Sequence, residues 1–323
     1  MTVVAIVIGR NEGKKLQRCL DSLKIQVQNI VYVDSGSIDN SVGIALAAGV
    51  KVVELDADEP FTAARARNAG YRFARDQIPL SEYIQFVDGD CEVDPNWVTN
   101  ASCFLDSHSE YAIACGRRRE IAIHKSRFNR FCDIEWDTPI GDTYACGGDF
   151  LIRSKVFDQV DGFTDELIAG EEPELCVRLR TLGWKISRLD VQMTYHNAEI
   201  THFSQWWART IRTGFAFSSV WYTHRKSKYV IWKRETLSAV FWSILLPLIF
   251  ICALIQPFFI LAVLLYLIQL IRIWCKALQS GDPRKQLDWA FFLILGKFPE
   301  GYGVIKFLGK LMMKRHVSII EYK

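Results

Sequence analysis

The sequence predicts an α/β protein built on a mostly parallel sheet with helices on both faces, followed by an apolar helical appendage. Three observations carry this. From Val3 onward, short apolar runs of strand length alternate with amphipathic stretches of ten or so residues, the pattern of βαβ units. Two acidic turn segments, 31-VYVDSGSID-39 and 86-FVDGDCEVD-94, fall where strand-like runs stop. Finally, the 36 residues from Thr236 to Ile271 contain no Asp, Glu, Lys, Arg or His.

Taken in order, 3-VVAIVI-8 has the length and continuous apolarity of a strand buried on both faces. The segment 12-EGKKLQRCLDSLK-24 sets Leu16, Cys19, Leu20 and Leu23 on one helical face. Strands are expected at 30–34 and 50–55, with a helix over 38–49 between them capped by Ser37. A small-residue helix over Ala63–Ala74 leads to a fourth strand at Ile84–Val87. Ligands on such sheets lie outside the carboxyl ends of the strands, and Asp34 and Asp88 fall there.

The division is expected near residue 225, with a catalytic body over 1–225 and a membrane-associated helical region over 226–323. The apolar run 236–271 is broken at Gln256–Pro257, so it reads as a hairpin of two short helices. Arg225, Lys226, Lys228, Lys233 and Arg234 precede it and Arg272 and Lys276 follow, which keeps both ends cytoplasmic. Segments 287–298 and 303–315 are too short to span a bilayer and suit interfacial helices. The expected location is the inner (plasma) membrane, with the body in the cytoplasm.

Net charge is +3, but residues 236–323 hold 10 Lys/Arg against 4 Asp/Glu, leaving 29 against 32 before them. A body with an acidic balance argues against nucleic-acid binding, and a basic tail fits an anionic lipid surface. Nine cysteines without a CxxC spacing read as reduced, core-filling thiols and not as a zinc site. The start, MTVVAIVIGRNEG, has no basic n-region, so it reads as a strand and not as a signal peptide.

Asp88–Gly89–Asp90 alone is a turn that ends a strand. Two carboxylates one residue apart also suit a divalent cation that neutralises a diphosphate leaving group. Its company decides what to expect. The blocks 5-AIVIGRNE-12, 31-VYVDSGSID-39, 64-ARARNAG-70, 86-FVDGD-90, 146-CGGDFLIRSKVFDQVDGF-163 and 170-GEEPELCVRLRTLGW-184, in that order, resemble the family 2 glycosyltransferases of the GT-A, Rossmann-like fold. The resemblance covers roughly Val3 to His196.

That resemblance implies an inverting, metal-dependent transferase using Mn2+ or Mg2+ and a nucleotide-sugar donor. Asp34 and Arg67 (or Arg65) would meet the nucleotide, Asp88 the ribose and Asp90 the metal, with His196 a second metal ligand. Gly147, Gly148 and Asp149 would form the loop against the donor sugar, and Asp149 would bond a sugar hydroxyl. Glu172 stands where relatives usually carry an Asp base, beside Glu171. Cys91 stands where many relatives carry a third acid. Each block has a plainer reading too: a turn, a helix packed on the sheet, a glycine turn, and the acidic first turn of a helix favoured by its dipole.

Arg209 and Arg212, among Trp206, Trp207, Trp221 and Tyr222, are candidates for a lipid phosphate or pyrophosphate, or else cover the sheet. The order 205-QWWAR-209 departs from the signature of processive members, so one sugar per encounter is expected. The predicted acceptor is lipid-linked or a glycan, with a hexose moved from a UDP- or GDP-sugar during surface polysaccharide or glycolipid synthesis. Rival readings are a polyprenyl-phosphate sugar synthase and a non-catalytic nucleotide-sugar-binding membrane scaffold. A soluble nucleotidyltransferase is disfavoured because 8-IGRNEG-13 lacks its Gly-rich, basic signature.

Overall fold

The computed structural model of the chain describes residues 2–78, 81–278 and 283–313. It divides into two compact units, Met1–Thr201 with Ser227–Tyr229, and His202–Lys226 with Val230–Lys323. The helix expected to close the body, Phe203–Thr223, thus groups with the C-terminal helices and not with the residues before 202.

In the first unit the strands are β1 (Val3–Gly9), β2 (Asn29–Asp34), β3 (Lys51–Glu54), β4 (Tyr83–Asp88), β5 (Cys91–Val93), β6 (Tyr111–Glu120), β7 (Gly141–Asp142), β8 (Phe150–Arg153) and β9 (Lys185–His196). Its helices are α1 (Lys14–Lys24), α2 (Ser41–Ala47), α3 (Ala63–Gln77), α4 (Trp97–Ser107), α5 (Arg127–Glu135), α6 (Ser154–Gln159) and α7 (Glu171–Thr181). One sheet runs β3-β2-β1-β4-β8-β6-β9-β5, with β7 on β9. The four strands β3-β2-β1-β4 are parallel, joined by helices as the alternation predicts. Beyond β4 the sheet is mixed, because β8 runs antiparallel to both β4 and β6.

Local chemistry accounts for these elements. Val4 to Val7 of β1 and Val31 to Val33 of β2 are almost wholly buried, as a strand covered on both faces requires. On α1 the four buried residues are Leu16, Cys19, Leu20 and Leu23, the predicted stripe. Thr62 caps α3, its hydroxyl accepting from the Arg65 amide at 3.0 Å. The helix expected over 38–49 is shorter: α2 begins at Ser41. Ser37 is not its cap, because its hydroxyl donates to Asp34 instead.

The cysteines are free thiols, six of them buried, whereas Cys103 and Cys275 are exposed and Cys252 half-buried. Cys146 and Cys176 lie 3.6 Å apart at sulfur. Core filling thus accounts for two thirds of them.

The second unit comprises α8 (Phe203–Thr223), α9 (Lys233–Ile255), a 3-10 segment (Pro257–Val263), α10 (Leu264–Ala277), α11 (Pro283–Leu295) and α12 (Lys297–Met313). The break falls at Gln256, before a proline that cannot donate to a continuing helix. The chain then folds back, with the Tyr266 hydroxyl donating to the Trp242 carbonyl at 2.6 Å. α12 packs on α8 without space for a side chain. A Cβ on Gly214 would come within 2.0 Å of the Glu300 carbonyl, and one on Gly303 within 2.1 Å of the Ile211 carbonyl. Lys314 and Arg315, the end of the expected last helix, lie outside the described residues.

Candidate active site

The carboxyl edge of the parallel strands assembles the site. Gly9 is level with Asp34 across β1 and β2, and Ile8 is level with Asp88 across β1 and β4. Asp34 is 2% exposed and fully engaged. Its carboxylate accepts from the Tyr32 hydroxyl at 2.8 Å, the Ser37 amide at 2.7 Å and the Ser37 hydroxyl at 2.5 Å. Burial, reinforced by the Asp34 hydrogen bond, pushes the Tyr32 phenol up. The Asn11 amide in turn donates to the Ser37 hydroxyl at 2.9 Å, tying the loop after β1 to the turn after β2.

Strand pairing brings the acidic pair to His196. β5 runs antiparallel to β9 with Cys91 opposite His196, and Glu120 on β6 is level with His196 from the other side. The ligand atoms of Asp88, Asp90, Cys91 and His196 all lie within 4.8 Å of one another. Asp90 Oδ1 is 3.2 Å from His196 Nε2. The imidazole Nδ1 is buried without a hydrogen-bond partner among the described residues, 3.9 Å from Glu120 Oε2.

Burial works against charging His196, but Asp90, by charge and hydrogen bond, and Glu120 outweigh it and raise the imidazole to about 9. A proton on the ring thus serves the carboxylates that a cation would otherwise satisfy. Two carboxylates and an imidazole suit a divalent cation of the Mn2+ or Mg2+ kind. Cys91 suits it less, since burial keeps its thiol protonated.

Arg67, 2% exposed, joins this cluster to α7. Its Nη2 donates to Asp88 Oδ1 at 2.8 Å, while Nη1 lies 3.1 Å from both Glu171 Oε1 and Glu172 Oε1. A guanidinium fork is the side chain that can grip three carboxylates at once. Burial alone would lower Arg67, but Glu172, Asp88 and Glu171 hold it firmly charged. Burial and then the neighbouring Glu171 push Glu172 up to about 7, against the pull of Arg67. Glu172 is therefore poised to take a proton near neutrality. The helix reading of its block also holds, for α7 begins at Glu171 behind Gly170.

The loop before β8 closes against the same groups. A Cβ on Gly148 would lie 2.7 Å from Arg67 Nη2 and 2.8 Å from Asp88 Oδ2, so any larger residue there must displace one of those side-chain ends. Gly147, by contrast, faces open space. Asp149 departs from expectation: it is 0% exposed and committed inside the protein. It accepts from the Asp88 amide at 3.0 Å and the Thr194 hydroxyl at 2.7 Å, and pairs with Arg118 at 2.7 Å. It fixes the Asp88 backbone, with both carboxylate oxygens engaged inside the protein.

Of the two arginine candidates, Arg65 points elsewhere, bonding the Asp56 and Glu59 carbonyls. Arg209 and Arg212 belong to α8 in the second unit. Three participants were not foreseen. Arg118 lies 3.4 Å from Asp88 and with Arg67 holds the Asp88 carboxyl below its usual range despite burial. Glu120 flanks His196, and half-buried Trp136 packs edge-on against that ring at 4.8 Å and under Arg118 at 5.5 Å. The available signal was 117-RRRE-120, a charged end on an apolar strand.

Residues 4–159 match the model for Glycosyl transferase family 2. This span, a little under half of the chain, is similar to family 2 of the glycosyltransferases. Among solved structures, the mannosyltransferase PcManGT of Pyrobaculum calidifontis, in complex with GDP-Man and Mn2+, is similar over 97% of this chain and 87% of that one, with a TM-score of 0.60 and 14% identity. The glucosyl-3-phosphoglycerate synthase of Mycobacterium tuberculosis, in complex with Mn2+, UDP and glucosyl-3-phosphoglycerate, covers 68% of this chain at a TM-score of 0.50 and 14% identity. At such identity the likeness establishes a shared GT-A fold.

A curated relative, a TPR repeat-containing protein of Synechococcus elongatus, is 42% identical over 59 residues. That match takes in 18% of this chain and only 15% of the relative's length.

Proposed function

We propose that this chain is a family 2 glycosyltransferase that moves a hexose, with inversion, from a UDP- or GDP-sugar to a lipid-linked acceptor at a membrane. One observation carries the reading: Arg67 bonds both the acidic turn Asp88–Asp90 and the Glu171–Glu172 pair, so leaving-group and base machinery form one continuous cluster. Asp90 and His196, with Asp88, would hold Mn2+ or Mg2+. A cation so held would supply Lewis-acid neutralisation of the diphosphate leaving group.

Glu172 accepts the proton of the attacking acceptor hydroxyl at its carboxylate, and that oxygen displaces the nucleotide in a single step, inverting the anomeric carbon. Arg67 keeps Glu172 oriented and partly ionised. Asp34, locked by Tyr32 and Ser37, shapes the wall for the nucleoside. The two similar structures, one with GDP-Man and Mn2+ and the other with Mn2+ and UDP, support a nucleotide-sugar donor and a divalent cation on this fold.

Membrane attachment and the lipid acceptor rest on the second unit. Lys233–Ile255 and Pro257–Ala277 are long and apolar enough to cross a bilayer, with mean hydropathies of 2.5 and 2.3 over windows 11% and 0% buried. The deciding experiment is a donor screen with purified protein, Mn2+ and a cell lipid extract. Sugar transfer to lipid, lost in both Asp90→Asn and Glu172→Gln, is the expected result. Intact transfer in Glu172→Gln with none in Asp90→Asn would favour a phosphate acceptor, which needs little deprotonation. Donor binding without turnover would mean a scaffold.

A further inference from the structure

We propose that the groove at the start of α9 binds one anionic glycerophospholipid, its phosphate between Lys233 and Arg234 and an acyl chain along Leu237, Phe241 and Trp242. The inference rests on the membrane attachment proposed above, and concerns a bilayer lipid and not the acceptor. The groove is shallow and open, and is lined by those five residues and Ser238. Their positions recur every three to four residues, so they form one face of a single helix.

The chemistry at the two ends of this groove differs sharply. Lys233 and Arg234 are exposed, and no ion pair to either is found among the described residues. The neighbouring Glu235 is not part of the lining. Below the cations, Leu237 and Phe241 are 50% and 54% exposed, and the charge-free run that begins at Thr236 continues to Ile271. The cation pair therefore stands at the step from charged to wholly apolar sequence, the level at which lipid phosphates lie.

A guanidinium fork and an ammonium suit a phosphate diester, and two uncompensated charges select a headgroup with net negative charge over a zwitterionic one. The apolar wall distinguishes a lipid from a free phosphate, which would leave Leu237 and Phe241 uncovered. The wall is also held in place. Tyr266 donates to the Trp242 carbonyl at 2.6 Å and packs on its ring at 5.1 Å.

The test uses the full chain in a non-ionic detergent, titrated by native mass spectrometry with phosphatidylglycerol, phosphatidylcholine and glycerol 3-phosphate. Phosphatidylglycerol should bind on the order of tenfold more tightly than phosphatidylcholine. Lys233→Gln/Arg234→Gln should erase the preference, each single variant should remove part of it, and Lys306→Gln/Lys310→Gln on α12 should keep it. Glycerol 3-phosphate should not compete.

Equal binding of the two lipids, an unchanged preference in the double and single variants, or displacement by glycerol 3-phosphate would each overturn the proposal. So would preferential displacement by a polyprenyl phosphate, which would give the groove to the acceptor. Extraction of the chain from membranes by alkaline carbonate is a separate reading. It would refute insertion of the apolar helices into the bilayer without altering the lipid preference measured in detergent.

Discussion

Glu172 concentrates the chemistry of the cluster into one titration. With its carboxyl raised to about 7 by burial and Glu171, the proton-accepting form is lost as pH falls. Transfer should therefore decline about tenfold per unit below pH 7 and level off above it, a limb that kcat/KM against pH would display. Glu172→Gln should lower kcat by about 10²–10⁴ and remove that limb, whereas Glu172→Asp should retain part of the rate. Arg67→Ala leaves three carboxylates facing one another without their shared cation. It should cost about 3–5 kcal/mol of stability, read as a fall in Tm, because breaking a buried ion pair strands its partners.

The roles of Asp149 and Arg118 mark the limit of reading residues one at a time. An Asp after two glycines looks available to a sugar, but it enters β8 beside the end of β4, where the Asp88 amide and Thr194 claim it. Arg118 escaped notice because its partners are 30 and 31 residues away, on strands whose neighbour relation is set by topology. Asp90 and His196, by contrast, were legible through the family resemblance, Asp90 in the block 86-FVDGD-90 and His196 just past a strand-like stretch.

Elements were read most securely where one periodicity ruled a whole segment. The stripe of α1, the buried strands β1, β2 and β4, and the break at Gln256 all follow from apolar spacing and proline chemistry. The antiparallel β8 was beyond such reading, since a four-residue apolar strand carries no mark of its direction. The start of α2 slipped because Ser37 found Asp34 before it could find a helix amide.

The loop into β8 offers a sharp test of what an element contributes. Gly148→Ala pushes against the far ends of Arg67 and Asp88, which can yield, so folding should survive with Tm nearly unchanged. The displaced carboxylate and guanidinium should nonetheless lower kcat/KM on the order of a hundredfold. Gly147→Ala, facing open space, should be close to neutral in the same assay.

For the whole molecule, the division predicts how the chain can be cut. A fragment ending at Arg234 keeps α8 but loses α12, whose backbone meets Gly214 and Ile211. It should aggregate on purification, while one ending at Thr201 should run as a monomer on size exclusion and bind Mn2+. The expected boundary near 225 followed the onset of apolar composition. α8 is mixed in composition, so its membership was written in glycine contacts that composition does not record.

The pairing of β5 with β9 reaches beyond catalysis. Asp90 emerges from the ribosome long before His196, and strands β6, β7 and β8 must be made between them. A nascent chain can thus close its parallel half early while its cation centre waits for the final strand. Tight uptake of Mn2+ would then report a completed sheet, and a chain halted before Lys185 should be folded around β1 yet blind to the ion.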